Sequence, residues 1–484
     1  MEIILKTEFI GREEELQQLK NLWERGVASL VTCEGRRRIG KSSLIKQFAT
    51  ISKADFFLLQ GLSPRANQKN QDQIDYVISD MRKQMKIPPL IKVSDWSDVF
   101  DLMAQKLPEK KTVLLLDEIS WMGGHDPDFP GKLKAAWDSQ FKELKNCIIV
   151  LCGSVSSWIN ENILNNTGFV GRINLSLKIE ELALSKAKKF WGNNESNISA
   201  EEKLRYMSVT GCVPRYLEEV NPHMIAEKNL ERLAFTRGEI LFNDFTAIFH
   251  DILSKKSTRY QQIIKTLIKG PKSFEEICCE LKIQKGGVTS QYLEDLVHAG
   301  FLRRDFNYSY EGKISKFSYY RIKDNYLRFY LKYIEPNKDK IEKKMMGQFS
   351  FDHLTNWPSI LGLQFENIIF NNLNKVCQLL KLDGKDILSA GPYFQKKNSK
   401  NKGACQIDLL IQTRFQNLYL CEIKFRKEID MTVIDQVQRK IDILKRPKNF
   451  SIRPVLIYAG HLNEDVESSQ YFNFIISGAD LFED

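Results

Sequence analysis

The chain has 484 residues, 43% of them hydrophobic and 27% charged, with a formal net charge of +10. That balance belongs to a globular chain of about three domains and excludes a disordered, collagenous or fibrous one. The positive bias is compatible with nucleic-acid binding and equally with a Lys-rich surface. Nine cysteines are scattered, with no CxxC or Cys/His zinc spacing. They read as small apolar residues of a reducing compartment. The N-terminus has no apolar signal core, and no apolar run approaches the ~20 residues that span a bilayer. The expectation is a soluble, cytoplasmic protein with no membrane partner.

In chain order, residues 29–33, 56–60, 112–116 and 147–152 are short apolar runs. Amphipathic stretches such as 42–49 and 133–144 lie between them. This alternation predicts a parallel sheet covered on both faces. From about 180 to 250 strand signals stop, and helical patterning interrupted at Gly211 and Pro214 predicts a helical subdomain. Ile263, Ile264, Leu267 and Ile268 then mark a helix ended by Gly270 and Pro271. Residues 274–281 and 288–298 form two more, and 301–304 with 316–321 form a hairpin. Three helices plus a hairpin is the winged-helix pattern. Its third helix carries Glu294 and Asp295 but no Arg or Lys, which suits major-groove reading poorly. The hairpin's Arg303, Arg304, Lys313 and Lys316 suit backbone contacts, so a structural or phosphate-contacting module is favoured over sequence readout. A polar, Lys-rich linker follows. Beyond it, a helix at 360–373, strands at 407–411, 418–423 and 455–458, and a helix at 432–444 predict a second α/β domain.

Gly35 to Ser42 match GxxxxGK[ST], with a strand before and a helix after. Such a loop turns its backbone N–H groups onto phosphates at a helix N-terminus. ATP with Mg²⁺ is the expected ligand. Gly35, Arg38, Ile39, Gly40, Lys41, Ser42 and Ser43 are the nucleotide-binding candidates. Lys41 would reach the β- and γ-phosphates, and the Ser42 hydroxyl would bind Mg²⁺. Asp117 and Glu118 end an apolar strand; Asp117 would hold Mg²⁺ through water and Glu118 would polarise the attacking water. Ser154, at the end of the next strand, is placed to sense the γ-phosphate or to serve as a turn residue.

A second constellation lies near the C-terminus. Asp408 opens one strand, and Glu422 and Lys424 share one face of the next. Asp408 and Glu422 can share a divalent metal, Mg²⁺ or Mn²⁺, and Lys424 can orient or deprotonate water. Lys396, Lys397, Lys400 and Lys402 form a basic loop before them that suits nucleic-acid phosphates.

Phe9-Ile10-Gly11-Arg12-Glu13-Glu14-Glu15-Leu16 resembles the box that opens many AAA-type and STAND-type ATPases. The triple-arginine P-loop, Gly211-Cys212-Val213-Pro214-Arg215-Tyr216-Leu217, and the segment from Tyr320 to Phe329 are similar to motifs of the archaeal-type ATPase family. That resemblance implies an AAA-like core, a helical lid and a winged helix. It implies that Phe9, Ile10, Gly11, Arg12 and Pro214 line the adenine pocket. It also implies that Arg172 acts on the γ-phosphate in cis or in trans, the alternative being a surface salt bridge. Cys212 departs from the family's second glycine. The C-terminal constellation resembles the PD-(D/E)xK nuclease core, which implies an acid on the preceding helix (Glu366) and a polar residue on the following one (Gln436). Ile407 stands where the named motif has Pro.

The fold class expected is therefore α/β: an AAA-like P-loop parallel sheet (1–179), a helical lid (180–250), a winged helix (251–335), a linker (336–355) and a restriction-endonuclease-like domain (356–484). The function expected is an ATPase coupling nucleotide state to nucleic-acid binding, DNA favoured, and to Mg-dependent phosphodiester cleavage. The alternative is a STAND-type nucleotide switch with an inactive nuclease-like interaction domain. A homo-oligomer is compatible with either.

Overall fold

A computed structural model describes residues 9–65, 67–88, 92–154, 156–253, 257–346, 350–397 and 403–483. The chain forms two compact units. One holds the residues up to Glu180 and a stretch from Ile248; the other holds the remainder.

The first unit carries five parallel strands: β1 Ser29–Glu34, β2 Asp55–Gln60, β3 Thr112–Asp117, β4 Cys147–Gly153 and β5 Ile173–Lys178. Their order is β2-β3-β4-β1-β5. β1, β3 and β4 are buried throughout, which is why β3 and β4 read as apolar runs and β1 is mainly apolar. One apolar cluster, with Leu114, Leu116, Ile149 and Leu151, covers one face. Another, with Val31, Val113, Ile148 and Val150, covers the other. β5 was not anticipated. It is an edge strand that alternates half-buried and exposed, and Asn174, Ser176 and Lys178 give it no apolar run. Polar side chains fix it: the Asn174 carbonyl accepts the Leu30 N–H at 2.8 Å, and Thr32 donates to Ser176 at 2.9 Å. Because β1 has β4 on one side and β5 on the other, its C-terminal end lies where the strand order reverses, the place ligands occupy in such sheets. Helices α1 (Glu13–Trp23) and α2 (Lys41–Ile51) flank the loop after β1.

The second unit begins with helices, as expected, among them α3 (Ala200–Thr210) and α4 (Pro214–Leu217). Then come α5 (Ser257–Thr266), β6 (Lys272–Ser273), α6 (Phe274–Leu281), α7 (Gly287–His298), β7 (Leu302–Tyr308) and β8 (Ile314–Ile322). The two-residue β6 is an addition to the expected three helices and hairpin; it makes a sheet of order β6-β8-β7. After α8 (Asn325–Phe329) and α9 (Trp357–Asn371) come β9 Ile387–Gln395, β10 Cys405–Thr413, β11 Asn417–Ile429, helix α10 (Thr432–Ile443), β12 Ser451–Leu462 and β13 Phe474–Ser477. Their order is β13-β12-β11-β10-β9. The pairs β9–β10 and β10–β11 are antiparallel; β11–β12 and β12–β13 are parallel.

The segments expected as lid, winged helix, linker and C-terminal domain fall together in the second compact unit. The stretch expected as a linker is tied down. Glu227 accepts the Phe351 N–H at 2.6 Å and the Ser350 hydroxyl at 3.0 Å, and Tyr333 donates to the Thr355 carbonyl at 3.0 Å. Ile341 and Phe351 are buried. The expected hairpin also packs on the C-terminal sheet. Asn307 donates to the Phe394 carbonyl at 2.6 Å and accepts its N–H at 3.1 Å, and Tyr319 stacks on Phe394 at 3.9 Å. Among the described residues, no helix is long and apolar enough to cross a membrane.

Candidate functional sites

The loop between β1 and α2 is held by backbone geometry that few residue types allow. Gly35 has φ 152° and Gly40 has φ 90°. A Cβ on Gly35 would lie 2.4 Å from the Ile179 carbonyl oxygen. Arg38, at φ 68°, adopts the left-handed region at a steric cost. Ile39 is buried and anchors the loop in the core. Lys41 is buried at the helix start, and its ammonium donates to the carbonyls of Gly35 (2.8 Å) and Arg36 (3.1 Å). Phosphate oxygens would compete for that ammonium. Ser43, next along α2, is exposed.

Ser42 donates to Asp117 at 2.7 Å, joining the loop to the end of β3. This hydroxyl and carboxylate are hard oxygen donors, and they fit a Mg²⁺ ion that keeps several waters. Glu118 follows in the left-handed region, φ 51°. Its carboxylate accepts the Ser154 hydroxyl at 2.8 Å and the Ser154 N–H at 3.2 Å, and Arg37 stands 4.0 Å away. Ser154 is thus hydrogen-bonded to the acid expected to polarise water.

The opening box has a mechanical part that the sequence did not reveal. Gly11 and Arg12 both have positive φ, and the turn directs the Arg12 guanidinium to the carbonyls of Ile39 (3.1 Å) and Glu180 (2.6 Å). Arg12 thus clips the phosphate loop to the chain leaving β5. Phe9 packs against the adjoining apolar cluster, and Ile10 is half-buried. Arg172 pairs with Asp138 through two bonds, 2.7 and 2.9 Å. That is the salt-bridge alternative, and the Arg172 and Lys134 hydrogen bonds hold the Asp138 carboxyl well below its usual range.

Pro214 lies in the second unit, at the first turn of α4, where its missing N–H costs nothing. The motif around it is a local framework. Glu181 accepts the Cys212 N–H at 2.9 Å, and Tyr216 donates to Asp244 at 2.8 Å. Gly211, with φ 63°, takes the conformation that demands glycine, and a Cβ there would meet the Glu181 carboxylate at 2.8 Å. Cys212 is buried without positive φ, so its departure from glycine costs no strain.

In the C-terminal sheet, the register that pairs Leu409 with Cys421 sets Asp408 beside Glu422. Both are buried. Lys424 pairs with Glu422 at 2.5 Å, as two-residue strand periodicity requires. Asp408 also accepts the Ile423 N–H at 3.0 Å. Glu366, on α9, is close enough for its charge to act on Asp408. Arg321 of β8 holds it at 2.9 Å, the same arginine that holds Asp305 at 2.6 Å. Burial first, and the Glu422 charge second, push the Asp408 carboxyl up to about 7.

Sequence reasoning missed Lys440. Its ammonium lies 2.6 Å from Glu422 and 3.5 Å from Asp408. Burial works to lower the Lys440 amine, but the two facing carboxylates outweigh it and raise it. Gln436, the residue expected on this helix, sits half-buried one turn earlier. The i,i+4 spacing on α10 was the signal that could have found Lys440. Among the described residues, no three or more His, Cys, Asp or Glu side chains are grouped to hold a metal. Two carboxylates still suffice for Mg²⁺, which commonly takes one or two and fills its shell with water and substrate phosphate. The donor set fits such an ion provided Lys440 withdraws. Lys396 and Lys397 are exposed, with Lys396 5.8 Å from the Phe317 ring. Lys400 and Lys402 lie outside the described residues.

Strand, glycine loop, Lys41 and the Ser42–Asp117 pair define a P-loop nucleotide site at the C-terminal edge of a five-stranded parallel sheet. Residues 9–220 match the family described as an ATPase domain predominantly from Archaea. That domain match supports ATP binding and hydrolysis by this part of the chain. Residues 330–440 match a second family, described as archaeal and bacterial proteins of unknown function. An uncharacterised protein of Methanocaldococcus jannaschii is 24% identical over 471 residues, 96% of this chain and 97% of that one. An uncharacterised ATP-binding protein of the same organism is 48% identical over 40 residues, 8% of this chain and 68% of that one. Among solved structures, a Walker-type ATPase of Pyrococcus abyssi is similar over 67% of this chain and 97% of that one, with 18% identity and a TM-score of 0.49. The ORC2 protein of Aeropyrum pernix is similar over 70% and 96%, with 13% identity and a TM-score of 0.40.

Proposed function

We propose that the chain is an ATP-hydrolysing protein whose second unit binds nucleic acid, DNA in preference, and cleaves its phosphodiester backbone at Asp408, Glu422 and Lys424. The observation that carries this reading is the convergence of those three side chains on adjacent antiparallel strands, with Glu366 on the helix before them. The order helix, three antiparallel strands, helix, parallel strand supports reading a PD-(D/E)xK core, and the three helices with a β6-β8-β7 sheet support reading a winged helix.

At the nucleotide site, Lys41 neutralises phosphate charge, and Glu118, steadied by Ser154, orients water for attack. A bound Mg²⁺ would supply further neutralisation of the phosphates, held by Ser42 and by Asp117 through water. Phe9, Ile10, Gly11 and Arg12 remain our assignment for the adenine surroundings. At the C-terminal site, a Mg²⁺ or Mn²⁺ ion held by Asp408 and Glu422 would supply Lewis acidity. Lys424 holds the Glu422 carboxylate in place and presents an ammonium to water; Gln436 stands on the flanking helix.

Plasmid nicking by the full chain with Mg²⁺ or Mn²⁺, with and without ATP, tests this. Nicking should disappear in Glu422→Ala and Lys424→Ala; unchanged nicking in both removes the site. ATPase assays of the wild type and Lys41→Ala, with and without DNA, test the coupling. DNA should stimulate the wild type alone. A second reading, a nucleotide switch with a non-cleaving C-terminal domain, is favoured by one observation. Each acid of the cluster already has a cation of the chain beside it: Arg321 for Glu366, and Lys424 and Lys440 for the Asp408–Glu422 pair. Slow single-turnover hydrolysis without cleavage would select it.

A further inference from the structure

We propose that Lys440 is a built-in counter-cation of the Asp408–Glu422 pair, so that a divalent ion enters this site only by displacing its ammonium. The inference rests on reading the pair as a divalent-cation site, but not on cleavage.

The geometry leaves little room for another arrangement. Glu422 is 1% exposed, and its two carboxylate oxygens are divided between two lysines, one to Lys424 and one to Lys440. Asp408 gives one oxygen to the Ile423 N–H and turns the other towards Lys440 at 3.5 Å. The ammonium of Lys440 therefore stands between the two oxygens that a shared metal would need. Two buried carboxylates facing each other without a cation would repel in a low-dielectric setting. Lys440 offsets part of that repulsion in the metal-free protein. Lys424 and Lys440 are not equivalent. Lys424, from the same strand, pairs with Glu422 Oε1, whereas Lys440 pairs with Oε2 and also faces Asp408. Lys440 comes from α10, with its side chain 23% exposed, so it has a route to swing outward along the helix surface. The Asp408 contact is the long one of the two, the bond that would yield first.

A charge-assisted hydrogen bond contributes about 1.5–3 kcal/mol. Removing the competitor should therefore tighten ion binding by about tenfold or more. The probe is Mn²⁺ alone, titrated by electron paramagnetic resonance into the nucleotide-free full chain. Lys440→Met should bind Mn²⁺ about tenfold more tightly than the wild type, and the double variant Lys440→Met/Asp408→Asn should lose the gain. Equal or weaker binding in Lys440→Met overturns the proposal, as does a gain that survives in the double variant or no Mn²⁺ binding at all. A second measurement needs no variant. Acetylation of Lys440 in the wild type, read by mass spectrometry, should rise several-fold with Mn²⁺; an unchanged yield is a refutation. Mn²⁺ competition without plasmid nicking would defeat the cleavage reading and leave this inference standing. Nicking that is indifferent to Lys440, with unchanged Mn²⁺ affinity, would do the reverse.

Discussion

Replacing Gly35 with alanine tests how the phosphate loop is built. The new Cβ would sit 2.4 Å from the Ile179 carbonyl oxygen and 3.3 Å from its carbon. Relief to ordinary contact needs about 1 Å of backbone separation. Neither side yields easily, because the Ile179 N–H donates to the Glu34 carbonyl at 2.8 Å and Ile179 is buried. Overpacking of this kind costs about 1–3 kcal/mol. Alanine at φ 152° adds about 1–2 kcal/mol of backbone strain. The sum is about 2–5 kcal/mol against the β1–α2 region. The displacement would also carry Glu180, whose carbonyl accepts Arg12, and so loosen the clip on the loop. The control is Gly131→Ala, in the helix Phe129–Ser139, where a Cβ meets nothing within 4 Å. Alanine there should stabilise by about 0.5–1 kcal/mol. Native-state hydrogen exchange on peptides from β1 and α2 reads the local opening free energy of each variant. Calorimetric ATP titration reads the functional cost. Equal protection of β1 in the two variants, with equal ATP affinity, would refute the reasoning.

Other outcomes follow from the same contacts. Glu118→Gln should lower steady-state ATP hydrolysis by about 100-fold or more while changing nucleotide affinity by less than about twofold; comparable losses of both would move Glu118 from chemistry to binding. Ser154→Ala removes the hydroxyl bond but leaves the N–H bond, so kcat should fall by about three- to tenfold with little change in KM; a raised KM with unchanged kcat would mean that Ser154 serves the phosphate instead. Arg321→Met leaves the buried Asp305 and Glu366 carboxylates without their shared partner. Breaking such a pair costs about 3–5 kcal/mol, and the Arg303–Asp305 pair at 2.7 Å should keep the loss near the lower figure. Urea denaturation of the second unit reads it, and an unchanged midpoint would show that the pair is not structural.

The readable parts of the fold share one property, burial on both faces. β3 and β4 carry apolar runs, and β1 carries Leu30, Val31 and Cys33, because helices cover both sides of them, so their places were plain within a residue or so. β5 escaped notice because one edge strand can be fastened by Asn174 and Ser176 without an apolar stripe. The phosphate loop was legible because its chemistry demands fixed residue types at fixed spacing. Its clip was not, because Arg12 and Glu180 are joined only by the fold. The same holds for Glu366. A helix acid before the two strands could be picked out by order, but its arginine lies in β8, a segment whose sequence pointed elsewhere. The Lys-rich stretch after Glu335 looked like a tether since its charges outnumber its anchors. Ile341 and Phe351, two apolar side chains among them, decide its course.

The buried polar seam between α8 and α9 bears on how this protein can be dissected. Arg328 donates to the Gln364 side chain at 2.6 Å, Gln364 donates to the Asn325 carbonyl at 2.7 Å, and Asn367 donates to the Asn325 side chain at 2.9 Å. A gene fragment begun at the helix Trp357–Asn371 would leave the Gln364 and Asn367 side chains without their partners in residues 322–328 and an acid, Glu366, stripped of its arginine. Its misbehaviour in a test tube would then say nothing about whether the C-terminal strands hold a catalyst. A cut that respects the seam falls near Glu181, and it keeps the helices from Ala200 onward and the C-terminal strands in one piece.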